Sequence, residues 1–124
     1  MLDLLQFIKK EDNLKELFIK NYKKNDCIIL YGAGDALQYY LEFFEKNNIK
    51  IMCIVDKDKR KINKESNQIP IISVVQCKKE ILKGNYKIVI TTPRYISEIK
   101  QYLIGEGIEE NNIYFLKWNY MLCF

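Results

Sequence analysis

The chain has 124 residues, a length that suits one domain with a hydrophobic core of its own. Hydrophobic residues make up 48% of it and charged residues 29%, which is typical of a globular protein rather than a disordered or membrane-embedded one. The net charge of +4 is too small to indicate nucleic-acid binding. Because the chain contains no histidine, serine–histidine and cysteine–histidine nucleophile pairs and histidine-ligated zinc are excluded.

The cysteines and the N-terminus indicate the cellular compartment. The four cysteines, Cys27, Cys53, Cys77 and Cys123, lie too far apart for CxxC metal or redox motifs. No apolar run reaches the roughly 18 residues that a membrane span needs, and no basic segment of a signal peptide precedes the short apolar stretch at the N-terminus. We therefore expect reduced cysteines, no metal site, no membrane span and a cytoplasmic location.

The hydrophobic pattern predicts three segments: an N-terminal helical segment (1–24), a central domain (25–116) and an apolar tail (117–124). In the first segment, apolar residues recur every three to four positions, as on one face of a helix. The tail is almost entirely apolar and includes Trp118 and Phe124. A tail of this kind packs either onto its own domain or into a partner.

The central domain opens with a strand, a glycine turn, a helix and a second strand. The uninterrupted apolar run Cys27–Tyr31 predicts a strand buried on both faces, as in a parallel sheet. A helical period follows from Asp35 to Asn47, and its apolar residues share one face. A second buried strand, Ile51–Val55, ends at Asp56.

The rest of the domain continues the alternation. Ser73 and Gln76 form a capping-box pattern, and Thr92-Pro93 suits a helix N-cap and first helical position. The proline in IPII predicts an edge strand, because proline cannot donate to a ladder. The predicted elements are a polar loop (57–68), a strand (69–72), a helix (74–83), a strand (86–91), a helix ending near Gly105 and a strand (113–116).

Alternating strands and helices of these lengths predict an α/β fold. We expect a small, open, Rossmann-like three-layer sandwich that follows an N-terminal helical segment. Its sheet would be mostly parallel and would contain about five strands in the order 3-2-1-4-5, numbered along the chain.

The glycine turn after the first strand is the main candidate site. In a dinucleotide-binding fold the first glycine, here Gly32, permits the tight turn, and the second, Gly34, lets a phosphate approach the backbone. The N-terminus of the following helix then supplies amide donors and positive potential. Asp56 at the end of the second strand stands where an acidic residue binds ribose hydroxyls.

Two residues depart from that pattern. Leu37 occupies the position of the third glycine or alanine, so helix and strand are expected to lie farther apart or to cross differently. Asp35 adds negative charge where a phosphate would bind, and a structural alternative is that it caps the helix.

The end of the strand at Thr91 is the second candidate, because open α/β sheets bind ligands beyond the carboxyl ends of their strands. Thr91, Thr92 and Arg94 would lie beside the glycine turn, where Arg94 could pair with a phosphate or carboxylate. The alternative is that Thr92 caps a helix and Arg94 is solvated. The basic loop from Lys57 to Lys64 also has two interpretations. It could bind a 2′-phosphate or an acidic partner, or it could be a solvated loop, which is the interpretation that we favour.

The sequence resembles a known kind of domain. It is similar to the Rossmann-like N-terminal domain of bacterial polysaccharide-biosynthesis proteins of the nucleoside-diphosphate-sugar dehydratase/epimerase family, and to the sugar-nucleotide-binding domain of sugar N-acyltransferases. Related domains are attached to some sugar methyltransferases and glycosyltransferases. The resemblance is carried by the segments LYGAGDALQYYLEFFEKNNIKIMCIVDKDKRK, IPIIS and KIVITTPRYISEIKQYLIGEGI.

This resemblance implies a cofactor or ligand that is NAD or a nucleotide-sugar, and it implies the residues that bind it. The phosphates would lie at the turn and the ribose at the second strand. The implied binding residues are Gly32, Ala33, Gly34, Asp35, Ala36, Asp56, Thr91, Thr92 and Arg94.

Catalysis by this chain alone is not expected. Related short-chain dehydrogenases and epimerases need a tyrosine followed by a lysine four positions later, but Tyr95 has Lys100 five positions later. We therefore expect a domain that binds a nucleotide or nucleotide-sugar. The alternatives are a degenerate Rossmann module for protein–protein interaction and the NAD-binding fragment of a larger oxidoreductase. Aromatic surfaces around Tyr39, Phe43 and the tail suit a homodimer or an attached catalytic domain.

Overall fold

The structure, a computed structural model, describes residues 26–81, 85–92 and 94–115. The predicted N-terminal helical segment, the apolar tail, Pro93, Leu116 and the last two positions of the helix predicted at 74–83 lie outside the described residues.

The described residues form six strands and three α-helices. The strands are β1 (Cys27–Tyr31), β2 (Ile51–Val55), β3 (Glu65–Ser66), β4 (Ile69–Ile72), β5 (Tyr86–Ile90) and β6 (Ile113–Phe115). The helices are α1 (Leu37–Lys46), α2 (Val74–Ile81) and α3 (Ile96–Gly105), and a short 3-10 helix (Glu110–Asn112) precedes β6.

The strands form one mostly parallel sheet in the order β3-β4-β2-β1-β5-β6. The neighbours are parallel except for β3 and β4, which are antiparallel. The predicted α/β class with a mostly parallel sheet is therefore confirmed. The predicted count of five strands is wrong, and the order differs in detail, because the short strand β3 is added outside β4.

Strand β3 exists because the chain reverses tightly after the loop that follows β2. Asn67 and Gln68 both have positive φ angles, 50° and 67°, as the favoured two-residue hairpin turn requires. The turn pairs Glu65 with Pro70, whereas β4 pairs with β2 only through its last two residues. The prediction of β4 as an edge strand is thus wrong: its proline lies in the half of the strand that β2 does not reach.

The core consists of two layers, one on each face of the sheet. Alternate residues of β1 point to opposite faces, as the period of a strand requires. Ile28 and Leu30 pack with α1 on one face, and Ile29 and Tyr31 pack with α2 and α3 on the other. The side chains of Ile28, Ile29 and Leu30 are fully buried, and burial of each contributes about 1.5–3 kcal/mol to the stability of the fold. An apolar run without alternation is therefore what this central strand needs.

The helix starts agree with the sequence-based expectation at α2 and differ from it at α1 and α3. The Gln76 N–H donates to the Ser73 Oγ at 3.2 Å, so the predicted cap of α2 is present. Helix α3, in contrast, begins at Ile96 with Tyr95 as its N-cap, and α1 begins at Leu37 with Ala36 as its N-cap. The predicted N-cap at Thr92 is therefore wrong.

One buried ion pair links β5 to the residue that precedes β1. The Lys87 ammonium lies 2.6 Å from the Asp26 carboxylate, and both residues are buried. Removing two charges from water is costly, so each depends on the other for compensation. The pair joins the two central strands at the end of the sheet opposite the glycine turn.

We predict that Asp26→Asn lowers the free energy of unfolding by about 3–5 kcal/mol, because it leaves the Lys87 ammonium buried without an opposite charge. Urea denaturation followed by circular dichroism measures the change. Glu80→Gln, at an exposed position on α2, is the control and should change stability by less than about 0.5 kcal/mol. Equal effects of the two substitutions would contradict this role of the pair.

Candidate functional site at the carboxyl edge of the sheet

The glycine turn and Thr91 meet at the carboxyl edge of the sheet. The turn follows β1 and Thr91 follows β5, and these two strands are parallel neighbours. The chain leaves β1 towards β2 on one side, whereas β5 lies on the other side. Such a reversal of strand order opens a crevice, and open α/β sheets bind ligands at that point.

Gly32 permits the turn for two measurable reasons. Its φ angle of +116° is one that residues with a side chain rarely adopt. A Cβ atom at this position would lie 2.7 Å from the Thr91 Oγ1, which is closer than real Cβ contacts. The Gly32 N–H donates to the Val55 carbonyl at 2.8 Å, so the turn is also attached to the end of β2.

Thr91 holds the turn from the side of β5. Its side chain is buried, and its Oγ1 lies 3.0 Å from the Tyr31 carbonyl oxygen and 2.8 Å from that of Gly32. The Thr91 N–H also donates to the Tyr31 carbonyl. The hydroxyl proton is therefore satisfied inside the domain, which gives Thr91 a structural role at the turn.

Asp56 connects the turn to the loop after β2. Its Oδ2 accepts a hydrogen bond from the Ala33 N–H at 2.8 Å, and its Oδ1 accepts one from the Asp58 N–H at 2.7 Å. Asp56 is half-buried. Each carboxylate oxygen thus has one backbone donor and retains a further lone pair.

The basic loop contributes a cation to the turn that sequence reasoning missed. The Lys61 Nζ donates to the Ala33 carbonyl at 2.9 Å, so both backbone groups of Ala33 are held by the loop after β2. Lys57 is likewise placed on the domain surface, with its Nζ 3.7 Å from the centre of the Tyr102 ring. The sequence does not indicate which lysine of the loop contacts Ala33, because the two residues lie 28 positions apart and the contact depends on the fold.

Two other charges of this loop, those of Arg60 and Asp58, form an ion pair. Arg60 donates two side-chain hydrogen bonds to Asp58, and these bonds lower the pKa of Asp58 to about 2. On the sheet side of the turn, burial, with smaller contributions from Tyr102 and Asp56, raises the pKa of Tyr31 to about 12. Tyr31 therefore remains protonated at neutral pH and does not act as a general base there.

The start of α1 leaves backbone donors available. Gly34 and Asp35 are exposed, and the described residues supply no acceptor for the N–H groups of Gly34, Asp35 and Ala36. Ala36 is the N-cap and makes no side-chain capping bond. The alternative that Asp35 caps the helix is therefore wrong, and its carboxylate has no partner within the described ranges.

Thr92 and Arg94 follow Thr91 at the same edge but form a local turn of their own. The Thr92 Oγ1 lies 3.4 Å from the Arg94 N and 3.3 Å from the Arg94 O. Arg94 is exposed, and its guanidinium makes no ion pair with another described residue. The structure thus joins Gly32, Ala33, Asp56 and Thr91 by direct contacts, whereas Thr92 and Arg94 are near neighbours of that cluster along the chain.

The described residues contain neither a cluster of metal ligands nor a membrane-spanning helix. Within residues 26–81, 85–92 and 94–115, no three cysteine, aspartate or glutamate side chains come together as metal ligands. In the same ranges no helix combines the length and the apolar character that crossing a membrane requires.

We predict opposite effects for the two glycines of the turn. Gly32→Ala should lower the free energy of unfolding by about 2–4 kcal/mol, because it combines an unfavourable φ angle with overpacking against Thr91. Gly34→Ala should be neutral or stabilising by up to about 1 kcal/mol, because no atom lies within 4 Å of the added Cβ and its φ is not positive. Urea denaturation of both variants measures the difference, and equal stabilities would contradict the geometry of the turn.

Comparison with known proteins places the chain in a family. Residues 24–114 match the family model described as C2185-like, N-terminal. The match begins just before β1 and ends within β6, so it includes the turn and the strand ends that carry the candidate site. A search of curated proteins found no match. Because the family model covers most of the chain, the protein belongs to the C2185-like N-terminal family.

Proposed function

We propose that this is a Rossmann-like domain that binds a nucleotide or nucleotide-sugar at the carboxyl edge of its sheet. The supporting observation is the glycine turn itself: it is packed against Thr91 at the reversal of strand order, and it leaves amide donors exposed at the start of α1. The sugar-nucleotide part of the proposal, with a role in bacterial polysaccharide synthesis, rests on the sequence resemblance.

The phosphates would bind where backbone donors and positive charge coincide. Gly34 and Asp35 are exposed and directly precede the N-cap of α1, and their N–H groups have no acceptor among the described residues. The positive end of the helix dipole that follows them favours an anion. Lys61 adds an ammonium group that is hydrogen-bonded to a neutral carbonyl of the same turn. An ammonium that has no carboxylate partner there is suited to pairing with a phosphate.

The ribose would bind at Asp56, and the distal part of the ligand at Thr92 and Arg94. Each Asp56 oxygen accepts one backbone N–H and can accept another donor, so a sugar hydroxyl does not have to displace an existing bond. Arg94 offers an exposed guanidinium at the edge that Thr91 joins to the turn. We assign no catalytic step to this chain, and any reaction would belong to an attached domain or a partner.

A specific observation also favours a second candidate, a protein-interaction module with a purely structural turn. Both backbone groups of Ala33, both oxygens of Asp56 and the hydroxyl of Thr91 are satisfied within the domain. Such a turn is stable without a ligand. The predicted aromatic surface around Tyr39 and Phe43 is wrong, because Phe43 is buried in the core and Tyr39 packs against it. A homodimer or an attached catalytic domain, for example that of a larger NAD-dependent oxidoreductase, would therefore use another surface of the chain.

We predict that a nucleotide-type ligand raises the melting temperature of the full chain at low salt. At a ligand concentration of about 100 Kd the gain is about 2.7 kcal/mol, which corresponds to a shift of roughly 5–10 °C. The panel comprises NAD, NADP, UDP-sugars, CMP-sugars, GDP-sugars, coenzyme A and S-adenosylmethionine, measured by thermal shift. Gly34→Val is the matched variant: no atom lies within 4 Å of the added Cβ, so we expect it to fold yet lose the shift.

No shift with any member of the panel at millimolar concentration would overturn the proposal in favour of the interaction module. A shift that Gly34→Val retains would move the site away from the turn. A preference for NADP over NAD would contradict the assignment of Asp56 to the ribose, because a carboxylate there repels a 2′-phosphate.

A second prediction concerns the charge at the turn. Asp35→Asn should tighten the binding of the ligand found in the screen by about two- to fivefold, because it removes a negative charge next to the phosphates. Isothermal titration calorimetry at low salt measures the affinity, and the gain should shrink as salt screens the charge. Glu80→Gln, at an exposed position near the end of α2, is the control for a general change in net charge. Unchanged affinity in Asp35→Asn would contradict the placement of the phosphates.

A further inference from the structure

Tyr95 is an unusual side chain at the candidate site. It is 69% exposed, and the other large hydrophobic side chain exposed in the described part of the chain is Val75 on α2. The aromatic residues Tyr40, Phe43 and Phe44 are buried in the core. The Tyr95 ring makes no ring contact, hydrogen bond or ion pair with another described residue. Packing of the domain therefore does not explain why an aromatic residue stands here.

The backbone of Tyr95 does not explain the side chain either. Its φ and ψ angles of 59° and 28° lie in the left-handed region, which asparagine and glycine adopt more readily than tyrosine. Tyr95 is also the N-cap of α3, yet it provides no side-chain capping bond, as serine, threonine, aspartate or asparagine would. Asparagine would suit both the conformation and the cap. The position thus holds a residue that is unfavourable for the fold.

Tyr95 lies next to the groups that the proposed function uses. It directly follows Arg94, which is also exposed, and both belong to the short connection from Thr91 to α3. Thr91 contacts the glycine turn, so this connection leaves the sheet at the edge where the phosphates would bind. Residues in strained conformations collect at ligand sites, where a gain in binding offsets their cost.

We propose that the Tyr95 ring is a stacking platform for the base of the ligand, an inference that rests on the proposed function. The flat face of a tyrosine stacks on any planar heteroaromatic ring, and its low flexibility keeps the entropic cost small. The substrate class is then a phosphorylated compound with an aromatic base, such as a nucleoside diphosphate or its sugar derivative. A simple sugar phosphate, which lacks the ring, would not use Tyr95.

The test separates stability from binding. Tyr95→Asn should raise or leave unchanged the melting temperature of the ligand-free chain, because asparagine tolerates the left-handed conformation. The same variant should weaken binding of a nucleoside diphosphate by about five- to a hundredfold, which is the value of one stacked base. Tyr95→Phe keeps the ring and should bind within about twofold of the original chain. Val75→Asn, the same kind of change at the other exposed apolar position, should leave affinity unchanged.

Isothermal titration calorimetry on the full chain would use UDP, GDP, CDP and ADP, with inorganic pyrophosphate as the probe that has phosphates but no base. We expect pyrophosphate to bind more weakly than the best nucleoside diphosphate and equally to the original chain and to Tyr95→Asn. Equal affinity of the original chain for pyrophosphate and the diphosphates would overturn the platform while leaving the phosphate site intact. The same conclusion would follow if Tyr95→Asn bound the diphosphate as the original chain does.

Two further outcomes are distinguishable from these. If none of the probes binds the original chain, the proposed function fails and the inference about Tyr95 fails with it. If nucleotide binding survives in Tyr95→Asn but the mass of the particle in solution changes, measured by light scattering, the ring belongs to a contact between protein surfaces. That result would overturn the stacking platform and favour the second candidate function, the protein-interaction module.

Discussion

The close approach of Gly32 to Thr91 determines the arrangement of the carboxyl edge. A hydroxyl that lies within hydrogen-bond distance of two consecutive carbonyls, those of Tyr31 and Gly32, ties the end of β1 to the residue after β5. A side chain at position 32 would force these atoms apart, because its Cβ would lie 2.7 Å from the Thr91 Oγ1. The glycine, the threonine and the positive φ angle therefore form one structural unit, in which none of the three is replaceable without a change in the others.

A second attachment, through Ala33, sets the position of the loop after β2. Asp56 accepts from the N–H of Ala33 and Lys61 donates to its carbonyl, so an acidic and a basic side chain of one loop hold the two consecutive peptide units that meet at Ala33. The carboxylate at the end of β2 consequently has a structural reason to be there. An acidic residue in this place is thus a weaker indication of ribose binding than its position in the sequence suggests, because the same oxygens stabilise the turn.

The parts of the fold that were predictable are those with a strong local signal. β1 and β2 are uninterrupted apolar runs that only a sheet covered on both faces explains, and they lie where the sequence places them. β3 was not predictable, because two polar residues form it and a left-handed conformation at Asn67 and Gln68 brings them to β4. At the site, the sequence identified the turn, but not the contact between Lys61 and Ala33, since that depends on the path of a long polar loop.

The start of a helix illustrates the same limit on a smaller scale. Thr92-Pro93 has the composition of an N-cap, yet the helix begins after Tyr95, a residue with poor capping ability. The residue at the N-cap of α3 is therefore not one that the local capping preference favours. A residue that departs from local preference without a gain in packing is most readily understood at a functional site. The satisfied groups of the turn favour a structural role, but they are also compatible with a ligand, because a preorganised site needs a rigid frame. What would identify such a site are the groups that remain unused: the exposed amides before α1, the Arg94 guanidinium and the Tyr95 ring.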